Sequence, residues 1–282
     1  MAEPDIRAGQ SIELLKALHI LTREGKMNQD SRRKLKQVYH LFQFIEPLLQ
    51  QLHDSRRPFT LVDHGAGKSY LGFILYDLFF KQHDNGAIIH GIEVREPLVN
   101  HAKALAEQLG FARMRFHHSS AADAILSTDL PEQVEIVTAL HACDTATDDA
   151  ITFALKKRAQ FIVLVPCCQA EVAAQLRQSK ARMLMRDALT EIWRHPIHTR
   201  EFGSHLTNVL RCLQLEAHGY QVSVTELVGW EHSMKNELII ATHKQLPGRR
   251  AAQRLEQVMS ETGLENLKQR FWLPQPASNA AG

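Results

Sequence analysis

The chain contains 282 residues, of which 44% are hydrophobic and 23% charged, and its formal net charge at pH 7 is +2. No apolar run reaches the roughly 18 residues that a membrane helix requires, and the acidic, polar start differs from a secretory signal. We therefore expect a soluble, cytoplasmic α/β protein whose charge neither requires nor excludes a nucleic-acid partner. The four cysteines are too few for a disulfide framework, and the adjacent Cys167 and Cys168 suit a reducing compartment.

The first part of the chain carries a helical pattern. From Ser11 to about Leu52, apolar residues recur at steps of three and four, which predicts a helical extension over residues 1–55. Within this extension lies a basic cluster that consists of Lys26, Arg32, Arg33, Lys34 and Lys36. Such a cluster either meets phosphates or solvates the start of a helix, and the second case is the commoner one.

Strand-like and helix-like segments alternate over residues 56–245, and a charged helical tail follows over residues 246–282. The predicted strands are 59–63, 87–94, 114–117, 134–140, 161–165, 220–227 and 237–242, and the predicted helices are 69–80, 97–109, 147–159, 171–193 and 204–218. Strands joined through helices predict a parallel sheet that is covered by helices on both faces. Such a sheet binds ligands at the carboxyl ends of its strands.

The turn after the first strand, residues 61–71 (LVDHGAGKSYL), has the layout of a nucleotide-binding turn. Glycines let the backbone approach a ligand, and the helix that follows points free N–H groups at it. A P-loop would need glycine in place of Val62, and a dinucleotide turn would need glycine in place of Tyr70. What remains is acid-x-Gly-x-Gly, which suits a ligand with a cationic amino-acid end and no phosphate, such as S-adenosylmethionine.

Polar side chains at the next two strand ends extend this candidate site. Glu93 ends the second strand, where its carboxylate can accept hydrogen bonds from both hydroxyls of a ribose. After the third strand, Ser119, Ser120 and Asp123 are placed to border an adenine. A polar run of this kind is equally typical of an ordinary loop, so the adenine contact stays one of two interpretations.

The fourth and fifth strands end in residues 139–148 (ALHACDTATD) and 165–169 (VPCCQ). Zinc coordination by His141, Cys143, Cys167 and Cys168 is one interpretation. The spaced cysteine pairs of structural zinc sites are absent and adjacent cysteines seldom bind one ion well, so we assign no metal site. A nucleophilic thiol is another, and it would require a lowered pKa of Cys143 or Cys167. Cys168 suits a small side chain that packs beneath a ligand.

Together these motifs resemble those of a bacterial family of class I S-adenosylmethionine-dependent methyltransferases. The resemblance is carried by residues 62–71, 138–148 and 165–169, and it extends from about Leu14 to residues 231–236. It implies a Rossmann-like seven-stranded sheet, mostly parallel with an antiparallel last strand, with helical additions at both ends and S-adenosylmethionine as cofactor. The family usually has cysteine at the position of Ala66, and the change is between two small residues.

A second, local resemblance concerns the acceptor of the methyl group. Leu140-His141-x-Cys143, residues 146–148 and the pair Cys167-Cys168 are similar to a eukaryotic family of tRNA 2′-O-methyltransferases. This similarity implies RNA as the acceptor. The chain has Gln169 where that family has histidine, and no Lys-Asp-Lys-Glu set for deprotonating a 2′-hydroxyl is assigned.

A methyltransferase of this type assigns roles to most of the residues named above. The cofactor would be bound by Asp63, Gly65, Ala66 and Gly67 at its methionine end, by Glu93 at the ribose, and by Ser119 or Ser120 with Asp123 at the adenine. Lys68 at the edge of the cofactor and Leu140 at the end of the fourth strand are further cofactor-binding candidates. The candidates for aligning the acceptor or removing its proton are His141 and Asp144, with Cys143 and Cys167 beside them. Lys235 and Asn236 would order these loops from the start of the last strand.

Several alternatives stay open at this point. Asp144 could instead cap the helix that begins near Thr147, and Lys68 could simply face solvent. The protein could also be a non-catalytic RNA-binding module on a degenerate methyltransferase fold, or a P-loop-like nucleotide-binding protein. Binding of S-adenosylmethionine, of ATP or of neither distinguishes these three classes.

Overall fold

A seven-stranded mixed sheet forms the centre of the protein. The computed structural model describes residues 6–7, 9–140, 144–166, 169–183, 191, 194–227 and 237–271. Its strands are β1 (Thr60–His64), β2 (Ile88–Glu93), β3 (Met114–His118), β4 (Ile136–Leu140), β5 (Phe161–Val165), β6 (Tyr220–Glu226) and β7 (Glu237–His243). They lie in the order β3-β2-β1-β4-β5-β7-β6.

The pairing of the strands confirms the predicted Rossmann-like sheet. β1 pairs in parallel with both β2 and β4, β2 pairs in parallel with β3, and β4 with β5. β7 runs antiparallel to both β5 and β6. Because β1 lies between β2 and β4, the loops after these three strands meet at one edge of the sheet, where such folds bind ligands.

Helices cover both faces of the sheet. They are α1 (Ile12–Ala17), α2 (Gln29–Asp54), α3 (Tyr70–Leu75), α4 (Glu96–Gln108), α5 (Ala121–Leu126), α6 (Thr145–Lys156), α7 (Glu171–Met183), α8 (Pro196–Ala217), α9 (Arg249–Glu261) and α10 (Lys268–Phe271). A π-helical turn, Tyr76–Phe80, continues α3, and a 3-10 turn, Glu265–Leu267, precedes α10.

Alternate residues of the strands pack into two separate cores. Leu61 and Ile89 belong to a core with apolar residues of α1 to α4, and Val62 and Ile92 belong to a core with α5, α6 and α8. Successive side chains of a strand point to opposite faces. Asp63 therefore faces the α1–α4 side of the sheet, and its neighbour His64 faces the α5–α6 side.

The N-terminal helical pattern forms two helices instead of one. Residues 18–28 interrupt it, and α2 begins after Asn28, whose side chain accepts a hydrogen bond from the Ser31 N–H at 2.8 Å. Such an N-cap satisfies a backbone donor that has no partner within the helix, which favours a fresh start at this residue. Since α1 and α2 share a core with α3 and α4, the extension packs against the sheet.

Other element bounds also differ from those predicted. α8 begins at Pro196 instead of Ser204, because proline at the first helical position has its φ angle already set for a helix. α3 begins at Tyr70, one residue late, because Ser69 has a left-handed backbone. The predicted helix 171–193 is described to Met183, and residues 272–282 of the predicted helical tail lie outside the described residues.

The tail that follows β7 folds back onto the sheet domain, with α9 and α10 sharing a third core with α7 and α8. The domain boundaries at residues 55 and 245 stay predictions. Within the described residues, none of the helices combines the length and the apolar character that a bilayer span requires.

Candidate functional site

The connection between β1 and α3 is a tight turn over residues 65–69. Its φ angles are +64° at Gly65, +59° at Gly67 and +54° at Ser69, in the left-handed region that favours glycine. The Ala66 N–H donates to the carbonyl of Ile92 at 3.0 Å, which ties the turn to β2. Val62 is a buried residue inside β1. The connection is therefore too short to wrap a triphosphate, which rules against the P-loop alternative.

Glu93 lies buried at the end of β2, beside this turn. Its Oε2 accepts a hydrogen bond from the Gly67 N–H at 2.7 Å, and its Oε1 accepts from the Arg95 N–H at 3.0 Å. The Arg95 guanidinium adds Nε at 2.8 Å from Oε1 and Nη2 at 3.2 Å from Oε2. Burial alone would raise the pKa of Glu93, but the hydrogen bonds from Arg95 and Gly67 and the charge of Arg95 lower it overall. Glu93 is thus a carboxylate with a fixed position.

Asp63 lies at the end of β1 on the α3 side and is 2% exposed. Its Oδ1 accepts a hydrogen bond from the Thr138 hydroxyl of β4 at 2.9 Å. Burial raises the pKa of Asp63 to about 7, against the hydrogen bonds from Thr138 and from the Gly72 backbone. A cation beside Asp63 would favour its charged form. The Asp63 carboxyl group can therefore bind an ammonium group, and its own proton is released when it does so.

His64, the residue after Asp63, is a buried member of this edge that the sequence analysis did not assign. Its ring lies 5.9 Å from that of Phe153 in α6, and neither ring nitrogen has a hydrogen-bond partner among the described residues. Burial lowers the pKa of His64 to about 4, although the charge of Glu93 acts in the other direction. Side chains alternate along a strand, so His64 faces the same side as Val62, which is the α6 side. This alternation was the sequence signal that could have placed His64 there.

The remaining cofactor candidates lie around this edge. The Ser119 N–H donates to the Glu93 carbonyl at 3.1 Å, so the loop after β3 begins next to the buried carboxylate. Ser120 and Asp123 bond each other, with Ser120 Oγ 2.6 Å from the Asp123 carboxylate, and Ser120 caps α5. Lys68 is exposed on the turn and Leu140 is half-buried at the end of β4. The contacts of these residues with the cofactor stay predictions.

Asp144 joins the loops after β4 and β5. Its Oδ1 accepts hydrogen bonds from the N–H groups of Ala170 at 3.2 Å and Glu171 at 3.5 Å, where α7 begins. α6 begins at Thr145 without a side-chain cap from Asp144, so the predicted cap of this helix is wrong. The other acceptor-side candidates, His141, Cys143 and Cys167, lie outside the described residues, as do Cys168, Lys235 and Asn236.

A buried ion pair connects α8 to the start of α6. Arg211 is fully buried, and its Nε and Nη2 bind the two carboxylate oxygens of Asp148 at 2.7 Å and 3.0 Å. Nη2 also donates to the Asp144 carbonyl at 2.8 Å. This bidentate geometry is the one in which an arginine and a carboxylate are held most firmly.

Buried amides extend this pair toward β5 and β7. The Asn208 carbonyl oxygen accepts from Arg211 Nη1 at 3.1 Å and from Gln169 Nε2 at 3.0 Å. Ser204 donates to Gln169 Oε1 at 2.8 Å, and Asn208 donates to Glu237 at the start of β7. We call this set the α8 network: Ser204, Asn208, Arg211, Asp148, Gln169 and Glu237. The network holds the backbone near the starts of α6 and α7, which follow the loops after β4 and β5. We call these two loops the acceptor loops.

The sequence analysis missed the α8 network. Asp148 and Gln169 fall inside motifs that it quoted, but their partners lie far along the chain, 63 residues away for Arg211 and 39 for Asn208. A charged residue on the buried face of a helical pattern was the available signal, since such residues are almost never buried without a partner.

The basic residues singled out in the two terminal segments are partly neutralised by acids of the chain. The pairs are Lys34 with Asp30 at 3.1 Å, Arg254 with Glu216, Lys268 with Glu256 at 2.8 Å, and Arg270 with Glu171 at 2.9 Å. Local pairing of this kind agrees with the small net charge and with a solvated surface.

A family model described as a methyltransferase domain matches residues 33–175, slightly more than half of the 282 residues. The matched segment begins in α2 and ends in α7, and it contains the turn after β1, Glu93 and Asp144.

Among curated proteins, a glutathione S-transferase C-terminal domain-containing protein of Bos taurus is 26% identical over 235 residues. The alignment covers 77% of this chain and 34% of that protein, and a Mus musculus protein of the same name matches equally. The chain therefore spans about a third of the length of these curated relatives.

Among solved structures, magnesium protoporphyrin IX methyltransferase from Synechocystis, with bound S-adenosylhomocysteine, has a TM-score of 0.46 and 13% identity over 82% of this chain and 93% of that one. A methyltransferase of Podospora anserina with S-adenosylhomocysteine has a TM-score of 0.44 and 12% identity over 85% of this chain and 89% of that one. The fold assignment rests on the strand order of this chain itself.

The buried pair in the α8 network leads to a prediction about stability. Replacing Asp148 with Asn leaves the buried Arg211 without a charged partner, so we expect the free energy of unfolding to fall by about 3–5 kcal/mol. Replacing Arg254 with Ala breaks an exposed pair with Glu216 and should lower it by no more than about 1 kcal/mol. Urea unfolding followed by circular dichroism measures both, and equal losses would contradict a special role for the buried pair.

Proposed function

The chain belongs to the methyltransferase-domain family whose model matches residues 33–175, and we propose that it is an S-adenosylmethionine-dependent methyltransferase. The observation that carries the proposal is the placement of two buried acids, Asp63 and Glu93, on either side of one glycine turn at the carboxyl edge of the sheet. An ammonium group and a ribose are the two parts of this cofactor that such acids bind.

The residues at this edge fit the cofactor. A Cβ at Gly67 would lie 3.7 Å from Arg95 Nη2 and 4.0 Å from Glu93 Oε2, so a larger residue there would reach into the space above the Glu93 carboxylate. Glycine keeps that space open for a sugar. Asp63, with a pKa raised to about 7, becomes charged when a cationic amino group lies beside it.

When bound, the cofactor supplies an electrophilic methyl group on a sulfonium. The protein's task is then to align an acceptor atom with that methyl group and to keep water out. Asp144 and the α8 network align the acceptor, because they fix the starts of α6 and α7, which follow the two acceptor loops. His141, Cys143 and Cys167 are proposed to face the acceptor from these loops.

RNA is the acceptor class that we propose, and the support is the local resemblance of residues 140–148 and 167–168 to tRNA 2′-O-methyltransferases. The paired basic residues of the terminal segments add little to this argument. The competing class is a non-catalytic RNA-binding module, which would retain the fold without a need for cofactor binding.

The first prediction concerns the cofactor. Calorimetry should detect binding of S-adenosylmethionine and S-adenosylhomocysteine, but not of ATP. Replacing Glu93 with Ala should weaken S-adenosylhomocysteine binding about tenfold or more, since hydrogen bonds to a charged group contribute about 1.5–3 kcal/mol each. Replacing the exposed Glu96 with Ala removes the same charge three residues away and should leave affinity unchanged. Binding of ATP alone would refute the proposal, and binding of no ligand would favour the non-catalytic module.

The second prediction follows from the raised pKa of Asp63. Since that pKa is about 7, Asp63 is mainly protonated at about pH 6, and a bound ammonium group should drive its proton into the buffer. Affinity should therefore rise as pH increases toward 7 and then level off. Calorimetry in two buffers of different ionisation enthalpy measures the proton release.

The matched variants for this experiment are Asp63→Asn, which should abolish both the proton release and the rise in affinity, and the exposed Asp54→Asn, which should retain both. Proton release of the same size from Asp63→Asn would show that another group titrates.

The third prediction concerns the acceptor. Labelled S-adenosylmethionine incubated with the protein and fractionated cell extract should transfer label to material that ribonuclease destroys. Glu93→Ala, which lacks the ribose carboxylate, should transfer much less label at the same protein concentration. Label that survives ribonuclease and is lost to protease would exclude RNA as the acceptor.

A further inference from the structure

All four acceptor positions of the Glu93 carboxylate are filled by N–H groups of the chain. Each carboxylate oxygen has two such positions. Oε1 receives the Arg95 N–H at 3.0 Å and Arg95 Nε at 2.8 Å, and Oε2 receives the Gly67 N–H at 2.7 Å and Arg95 Nη2 at 3.2 Å. A ribose bound by Glu93 would have to donate its own hydroxyls to the same oxygens.

Two of these four donors can leave and two cannot. The N–H groups of Gly67 and Arg95 belong to the backbone of the turn and of the β2–α4 connection, so they hold the carboxylate in place. The other two donors are on the Arg95 guanidinium, which puts one bond on each carboxylate oxygen. A vicinal diol makes the same pattern of one bond on each oxygen, so the guanidinium fills the positions that the two ribose hydroxyls need.

The exposure of the two side chains shows which of them can move. The Arg95 side chain is 64% exposed, whereas that of Glu93 is 6% exposed. A guanidinium that leaves Glu93 therefore passes directly into water, where its donors find new partners at once. Because solvent reaches the Arg95 end, this pair costs less to open than a fully enclosed pair such as Arg211–Asp148, and a ligand can replace it.

We propose that Arg95 competes with the cofactor ribose for Glu93 and thereby sets the affinity for the cofactor. The inference rests on the proposed function, because the competing group is the ribose of S-adenosylmethionine. Arg95 therefore lowers the affinity for S-adenosylmethionine, and it takes no part in the transfer of the methyl group. Either its guanidinium or the ribose diol is hydrogen-bonded to the Glu93 carboxylate, but not both at once.

The test compares a ligand that needs the exchange with one that does not. The Arg95→Ala variant should bind S-adenosylhomocysteine about three- to tenfold more tightly than the wild type, because the ribose no longer has to displace a bidentate pair whose arginine is exposed. For the 2′,3′-dideoxy analogue, which has no hydroxyl to offer Glu93, the two proteins should have equal affinity. Calorimetry gives the four dissociation constants.

Two further variants separate the geometry of Arg95 from its charge. Arg95→Lys keeps the charge but lacks the planar fork, so its affinity for S-adenosylhomocysteine should lie between those of the wild type and Arg95→Ala. Arg115→Ala removes one exposed positive charge near the opposite end of β3, where Arg115 donates to the Ala112 carbonyl at 2.7 Å. It should bind both ligands as the wild type does.

The outcomes distinguish this inference from the function on which it rests. If the wild type binds S-adenosylhomocysteine and Arg95→Ala binds it equally or more weakly, Arg95 supports the carboxylate and does not compete for it. An equal gain for the dideoxy analogue would likewise overturn the competition. If the wild type binds neither ligand, the proposed function fails, and the inference about Arg95 fails with it.

Discussion

A charged side chain that is buried away from water must find its partners within the protein, and this constraint arranges the carboxyl edge of the sheet. Glu93 finds them in Arg95 and the backbone of the turn after β1. Arg211 finds them in Asp148 and the backbone carbonyl of Asp144. Asp63 has the Thr138 hydroxyl and the Gly72 backbone as partners, with no cation beside it among the described residues, and burial raises its pKa to about 7. The three side chains thus differ in how their charge is compensated: Glu93 by an exposed arginine, Arg211 by a buried carboxylate, and Asp63 by protonation.

The two guanidinium groups illustrate that division. Arg211 is fully buried, so its ion pair with Asp148 is a permanent part of the fold that fixes the start of α6. Arg95 makes a similar bidentate pair at the surface, with 64% of its side chain exposed, and its pair can open without any change in the core. The same chemical contact therefore stabilises structure in one half of the site and is exchangeable in the other. Burial, more than bond geometry, decides between these outcomes.

The parts of the site that the sequence predicted are those with a local signature. The turn at residues 65–69 and the acids Asp63 and Glu93 follow directly from strand ends and glycine spacing, and the structure brings them together. The partnership of Asp148 with Arg211 spans 63 residues and depends on how α8 packs across the sheet, which no local pattern records. The starts of α2 and α8 did have local signals, an N-cap at Asn28 and Pro196 at the first helical position, and the apolar periodicity concealed them.

The charges at this edge affect how tightly the proposed site binds S-adenosylmethionine relative to the product, S-adenosylhomocysteine. Burial keeps His64 neutral, with its pKa lowered to about 4, and it favours the neutral form of Asp63 below pH 7. At the end of β2 the buried charge is that of Glu93, which is paired with Arg95. When a ribose diol takes the place of the guanidinium, a cation gives way to a neutral group, and the negative charge of Glu93 is no longer neutralised by its neighbour. Because the Glu93 side chain is only 6% exposed, water screens that charge less than it would screen a charge in solvent. The charge then favours a positively charged sulfonium over a neutral thioether. The exchange at Glu93 would thus raise affinity for the methyl donor relative to the product that must leave.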